Sequence, residues 1–183
     1  LVVEPAEATP VAGELLEIVT AWFARRGTVV APPRGRLLVS STIPIGAGLG
    51  SSAAFSVAVA RWALAAHSFE PSLERELARE LEDHFHGRSS GMDVAAVSIG
   101  EPIRFSMAEG AVKLGLARLP DFVFADSGLR ASTRDCIAAV ERARSADPSR
   151  AAALDVEMQR ATEEILAGLR AENEASGEGL DGV

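Results

Sequence analysis

Cysteine and lysine are almost missing from this chain of 183 residues, which holds one of the first, Cys136, and one of the second, Lys113. A lone cysteine excludes an internal disulfide and fits a reducing compartment. With a single lysine, chemistry that needs an amine near the start of the chain finds none there. Basic residues number 18 against 26 acidic ones, for a formal net charge of -8. An acidic surface repels phosphate backbones, which argues against non-specific nucleic-acid binding and leaves room for a local anion pocket. No apolar run is long enough to cross a membrane. No charged-then-apolar leader with a cleavage site is visible, so a cytoplasmic location is expected.

What is present suits a globular body: 48% of residues are hydrophobic and 24% charged. Thr9-Pro10 reads as the start of a helix whose apolar face carries Leu15, Leu16, Val19, Trp22 and Phe23, ending at Gly27. Arg36 to Ile43 reads as a strand, and Ser51 to Ala66 as a small-residue, largely buried helix. Ser72 reads as the cap of a third helix with Leu73, Leu77, Leu81 and Phe85 on one stripe, closed by Gly87. A short apolar segment follows from Met92 to Ile99. Ile103 to Phe105 and Phe122 to Ala125 read as strands. Ser127 to Ser132 reads as a polar turn before a helix from Thr133 to Arg144. Asp147-Pro148 opens a last helix with Leu154, Met158, Ala161, Ile165 and Leu169 in near-heptad spacing. Trp22 and Trp62 are expected in the core, and the three histidines lack the spacing of a metal site.

Pro44 to Gly50 is the most informative stretch. Glycines at positions 46, 48 and 50 alternate between a strand and a helix. Glycine permits positive φ and close approach of a ligand to backbone amides. A helix N-terminus adds unpaired N–H groups and a positive dipole end, which together suit polyphosphate. Ser51 and Ser52 add hydroxyls able to meet phosphate or magnesium. The string is not a P-loop, which ends in Gly-Lys-Ser/Thr, nor a dinucleotide fingerprint.

A second constellation runs from Glu82 to Asp93. A glutamate late in one helix and an aspartate opening the next would bring two carboxylates to one cleft, as phosphoryl transfer to an alcohol requires. Taken singly, Glu82 reads more readily as a solvated helix residue and Asp93 as a residue of a helix N-terminus.

These motifs resemble those of the GHMP kinases, the group that includes galactokinase, homoserine kinase, mevalonate kinase and phosphomevalonate kinase. Pro44, Gly46, Gly48, Leu49, Gly50, Ser51, Ser52 and Ala53 meet every fixed position of that family's Pro-x-Gly-x-Gly-Leu-Gly-Ser-Ser-Ala motif, with Ala47 at a free one. The order Glu82, His86-Gly87, Ser90-Gly91, Asp93 is most similar to the mevalonate kinase branch. The resemblance implies an α+β, two-domain GHMP fold. Residues 1–119 would supply most of the N-terminal, phosphate-binding domain, and 120–183 the opening of a truncated C-terminal domain. It implies ATP and Mg2+ as cofactors, phosphate binding by Pro44 to Ala53, and magnesium held by Ser52 and Glu82. It also implies a catalytic Asp93, with His86, Ser90, Gly91 and Thr133 near the acceptor. Ser132 or Thr133 reads equally as a helix cap.

The expected partner is a small-molecule alcohol, mevalonate, with no nucleic acid and no membrane; a homodimer is compatible with this reading. Val94, where many relatives have asparagine, and the run Gly91 to Ala96 are also similar to phosphomevalonate kinases. Other GHMP kinases, the related ATP-dependent decarboxylase and a nucleotide-binding regulator without turnover remain as alternatives. An upstream lysine segment and a C-terminal glycine-rich motif, both usual in the family, have no counterpart here, so the chain reads as a fragment of a longer kinase and as a weak catalyst alone.

Overall fold

The computed structural model describes residues 2–4, 9–31, 33–87, 89–125, 128 and 133–175. Its order is β1 (Val2–Glu4), α1 (Thr9–Arg25), β2 (Arg36–Leu38), α2 (Ser51–Ala66), a 3-10 turn (Pro71–Leu73), α3 (Glu74–His86), α4 (Met92–Ile99), β3 (Ile103–Ser106), β4 (Gly110–Lys113), α5 (Thr133–Ala146) and α6 (Pro148–Ala175). The mixture is α+β, with helices dominant and strands confined to two short pairs. β1 and β2 run parallel with α1 between them, in the register Val2 to Arg36, Val3 to Leu37 and Glu4 to Leu38. Parallel strands need such a crossover, because a tight turn cannot reverse direction twice.

Two compact units result, one from residues 1–100 with 105–111, the other from 101–104 with 112–183. The first is a helical body. On α1, Leu15, Val19, Trp22 and Phe23 are buried, as their spacing predicts. Against them lie Ala53, Val57, Ala60, Ala63 and Leu64 of α2 and Leu77, Ala78 and Leu81 of α3. The small residues of α2 leave no bulk between helices, so α3 and α4 both pack directly upon it. Leu77 and Leu81 are 0% exposed, each worth about 1.5–3 kcal/mol through burial. Phe23 meets Phe69 and His67 edge-on at centroid distances of 4.8 and 5.0 Å, a geometry that suits ring quadrupoles. Arg25 with Glu80, and Arg26 with Glu76, tie α1 to α3 at the surface.

The second unit is built around α5 and α6, which pack on each other. Asp147 caps α6, its Oδ1 accepting the Arg150 N–H at 3.0 Å. Arg144 reaches past that cap to Asp155 with two bonds of 2.8 and 2.6 Å. The Asn173 side chain accepts the Arg118 N–H at 2.9 Å and donates to its carbonyl at 3.0 Å, holding the segment after β4 to the end of α6.

Several sequence expectations are corrected. The strand foreseen from Arg36 to Ile43 stops at Leu38: beyond it Ser41 Oγ takes the Ile43 N–H at 3.1 Å, and local side-chain bonds of this kind compete with a ladder. Phe122 to Ala125 forms no strand among the described residues; Phe122, Val123 and Phe124 are exposed. Ser72 does not cap α3, which instead grows out of the 3-10 turn with Leu73 at the cap position. Trp62 is exposed, not core. The near-heptad row of α6 is not its buried face: Leu154, Met158 and Ile165 are exposed, while Ala151 and Leu166 are buried. The turn expected from Ser127 to Ser132 lies, apart from Gly128, outside the described residues.

Candidate active site

The glycine loop has a regular backbone. Gly46, Gly48 and Gly50 have φ of 73, 75 and 71°, while Ser68 is the one non-glycine residue with positive φ among those described. Ile45, Ala47 and Leu49 therefore keep negative φ. Alternating hand of this kind turns successive N–H groups toward one side and forms an anion-binding nest. Gly50 is the N-cap of α2, and no side chain caps that helix. The first amide to bond back is that of Ala54, to the Gly50 carbonyl at 2.9 Å. The amides of Ser51, Ser52 and Ala53 thus have no helical acceptor, the ordinary condition of a first turn. A Cβ built on Gly48 or Gly50 meets nothing within 4 Å, so the loop is open on that side. Pro44, Gly46, Gly48 and Leu49 are exposed, Ala47, Gly50, Ser51 and Ser52 half-buried, and Ala53 is buried, its methyl in the core.

Immediately behind this loop lies Glu82, only 2% exposed on α3. Its Oε1 accepts from Ser52 Oγ at 2.8 Å and its Oε2 from Ser56 Oγ at 3.1 Å. His86 Nε2 lies 3.0 Å from Glu82 Oε1 and 3.1 Å from Ser52 Oγ. With the Ser52 proton given to Glu82, the serine oxygen accepts from an Nε2–H, so this network assigns the His86 tautomer. Two helix periodicities create the cluster: Ser52 and Ser56 are one turn apart on α2, Glu82 and His86 one turn apart on α3. A buried carboxylate is costly unless such donors compensate it.

Asp93 stands exposed in the first turn of α4, whose N-cap Gly91 has φ 83°. The bend before it is fastened to α3 from both sides. Asp83 Oδ1 accepts the Ser89 N–H at 2.5 Å, and Arg79 donates to the Ser89 carbonyl at 3.3 Å. Ser90 Oγ accepts the Met92 N–H at 3.2 Å and so starts the helix. Because α4 packs on both α2 and α3, the elements bearing Ser52, Glu82 and Asp93 form one bundle. Ser52, Glu82 and His86 are brought into contact. Thr133 opens α5 in the second unit, and its side chain lies outside the described residues.

Sequence reading missed Ser56, Asp83 and Arg79. Ser56 was traceable, since its i+4 relation to Ser52 puts both hydroxyls on one helix face. The roles of Asp83 and Arg79 depend on the bend after α3 and left no signal.

Glu82 and Ser52 fit a magnesium ion: both offer hard oxygen, and this ion commonly takes one or two carboxylates with phosphate and water in its other positions. No group of three or more His, Cys, Asp or Glu side chains forms a self-sufficient metal cage among the described residues.

Residues 15–101 match the family model for the GHMP kinases N terminal domain. That stretch, with the nest, the helix behind it and the buried glutamate, belongs to the GHMP kinase family. The chain is also 36% identical over 136 residues to a mevalonate kinase from Aeropyrum pernix, an alignment covering 72% of this chain and 41% of that protein. It thus spans about two-fifths of the length of that relative. No solved structure matches the chain.

Proposed function

We propose that this chain carries the phosphoryl-transfer centre of an ATP-dependent small-molecule kinase, and that its acceptor is the alcohol of mevalonate. The observation that carries the reading is the Ser52–Glu82 contact of 2.8 Å directly behind an uncapped, glycine-nested helix start. Kinase chemistry needs few covalent parts and much positioning. In this reading the amides from Gly46 to Ala53 hold the polyphosphate, and the α2 dipole adds to their pull. Ser52 and Glu82 hold Mg2+, which when bound screens phosphate charge. Asp93 accepts the proton of the acceptor hydroxyl as its oxygen bonds to the γ-phosphorus and the bond from that phosphorus to the bridging oxygen breaks, releasing ADP. His86, Ser90 and Gly91 flank the acceptor, Thr133 joins that set on the family resemblance alone, and the following domain begins near residue 120. Residues 1–119 then act as the N-terminal domain.

The acceptor assignment rests on the likeness to the mevalonate kinase and on the Glu82 to Asp93 pattern. A second reading, nucleotide binding without turnover, has one observation behind it. Lys113, the lone lysine, pairs with Glu101 at 2.6 Å in the second unit. The first unit of this chain holds no lysine, so within that unit the charge at the glycine loop is met by amides. The test is ADP release from MgATP with mevalonate, phosphomevalonate, homoserine and galactose, with Asp93→Asn as control. Turnover on mevalonate that falls by about 100-fold or more in the variant supports the proposal. ATP binding without turnover on any acceptor favours the second reading.

A further inference from the structure

Beside the Ser90–Gly91 bend is a cavity of about 470 Å³, contained within the first unit and lined by no residue of the glycine loop. Its walls are the start of α3, the beginning of α4 and the β3–β4 hairpin. Two guanidinium groups, Arg75 and Arg79, line it, one helical turn apart on α3. Arg75 has no hydrogen bond or ion pair among the described residues. Arg79 spends one N–H on the Ser89 carbonyl, and its stem lies 3.4 Å from the place of a Gly91 Cβ. Glu76, the acidic side chain of the wall, is engaged by Arg26. The net charge facing the cavity is therefore positive, in a protein whose overall charge is -8.

Around the arginines the lining divides by character. Ser72 and Ser90 offer hydroxyls, and Gly91, the N-cap of α4, lines the wall beside Ser90. Val94, Phe105 and Met107 supply an apolar side. Paired guanidinium groups recognise carboxylate or phosphate oxygens through charge-assisted, often bidentate bonds. An arginine with no partner among the described residues, a second one that bonds there only to the Ser89 carbonyl, and an apolar flank together define a ligand with an anionic head and a short hydrocarbon body.

We propose that this cavity is a second anion site, separate from the glycine loop and bordering the acceptor side of the proposed function at Ser90 and Gly91, which takes a small organic carboxylate or phosphate ester. Arg79 belongs to both the cavity and the bend, so an occupant shifts the hold on Ser89 and is felt at the start of α4.

The test is amide NMR titration of the chain with butyl phosphate and, in parallel, butyrate, with inorganic phosphate as the bare head. The expected result is saturable shifts at Ser89 to Gly91 and in the β3–β4 hairpin. Affinity should fall about tenfold or more in Arg75→Ala/Arg79→Ala, by loss of charge-assisted bonds. Ser72→Glu, which places a carboxylate among exposed side chains beside the arginines, should abolish binding without unfolding. Ser52→Ala should leave it unchanged. Tighter binding of one head over the other identifies the class of ligand. Shifts confined to residues 46–54, equal affinity in the arginine variant, or no saturable shift with any probe would overturn the proposal. MgATP binding at the glycine loop is read from the amides of residues 46–54, so failure of that site and failure of this one are distinguishable.

Discussion

Replacing Glu82 by glutamine tests whether this carboxylate is kept for a ligand or for the fold. Glu82 is 2% exposed and receives Ser52 at 2.8 Å, Ser56 at 3.1 Å and His86 at 3.0 Å. Each charge-assisted bond is worth about 1.5–3 kcal/mol, against about 0.5–1.5 for a neutral one, so three weakened bonds cost about 3 kcal/mol. Against this stands the desolvation of a buried carboxylate, several kcal/mol, which a neutral amide avoids. The two nearly cancel. The serine hydroxyls can rotate to accept from the amide, so no polar atom is stranded.

Glu82→Gln should therefore melt within about 4 °C of the parent, on a scale of about 2–4 °C per kcal/mol. Glu82→Ala is different in kind. It strands the hydroxyl of Ser56, which is 0% exposed, and opens a void. Those effects together cost about 3–5 kcal/mol. The assay is thermal melting paired with calorimetric MgATP binding. The expected pattern is an unchanged melting point with magnesium-dependent nucleotide binding weakened by about tenfold or more in Glu82→Gln. A glutamine variant that melts as low as the alanine one while binding MgATP at parental affinity would refute the reasoning. Glu82 would then be a structural core residue.

Gly48→Ala should cost about 1–2 kcal/mol through its φ of 75° alone, since its Cβ meets nothing within 4 Å. It should weaken MgATP about tenfold or more by putting a methyl on the open side of the nest, as calorimetry would show. Leu77→Ala should destabilise by about 2–5 kcal/mol, whereas Trp62→Ala, at a site 39% exposed, should cost about 1 kcal/mol or less; denaturant melts compare the two. The bond from Arg144 lowers the pKa of Asp155, with desolvation opposing and coulombic attraction adding. The folded state thus favours the carboxylate. Its small, salt-sensitive stabilisation is present at neutral pH and is lost as pH falls below the ordinary aspartate value of about 3.9 and through the lowered one. Helix content followed by circular dichroism from about pH 6 to pH 2 should drop earlier in Arg144→Ala, and about 1 M salt should narrow the difference.

What could be read from sequence was whatever one element decides alone. The α1 stripe, the stop at Gly87 and the cap of α6 by Asp147 all follow from periodicity or a single terminus, and all appear in the structure. The expectations that failed needed a partner. Ser40, Ser41 and Thr42 extend a β-favourable run, but a ladder forms only where β1 lies opposite, at three pairs. Phe122 to Ala125 has the composition of a strand and no neighbour to pair with among the described residues. The apolar row on α6 has the spacing of a seam, yet spacing gives a face and not what covers it, and the covered residues are Ala151 and Leu166.

The same division runs through the candidate site. The nest needs only its own glycines, so its sequence nearly determines its geometry: three positive φ values at alternate positions, then a helix start with no side-chain cap. The carboxylate could not be placed that way. Taken alone, Glu82 reads more readily as a solvated residue, because its burial comes from α2 and not from α3. Position 82 is tolerable for a charge only where Ser52, Ser56 and His86 converge on it. Two of those donors sit on the helix that the nest begins. The loop that would hold the phosphate and the residue that would hold its counter-ion are thereby fixed to one rigid element, and moving either against the other would require breaking the α2–α3 core. A structural glutamate would need the donors but not their place directly behind an open nest, and that coincidence supports the phosphoryl-transfer reading over a buried ion kept for packing.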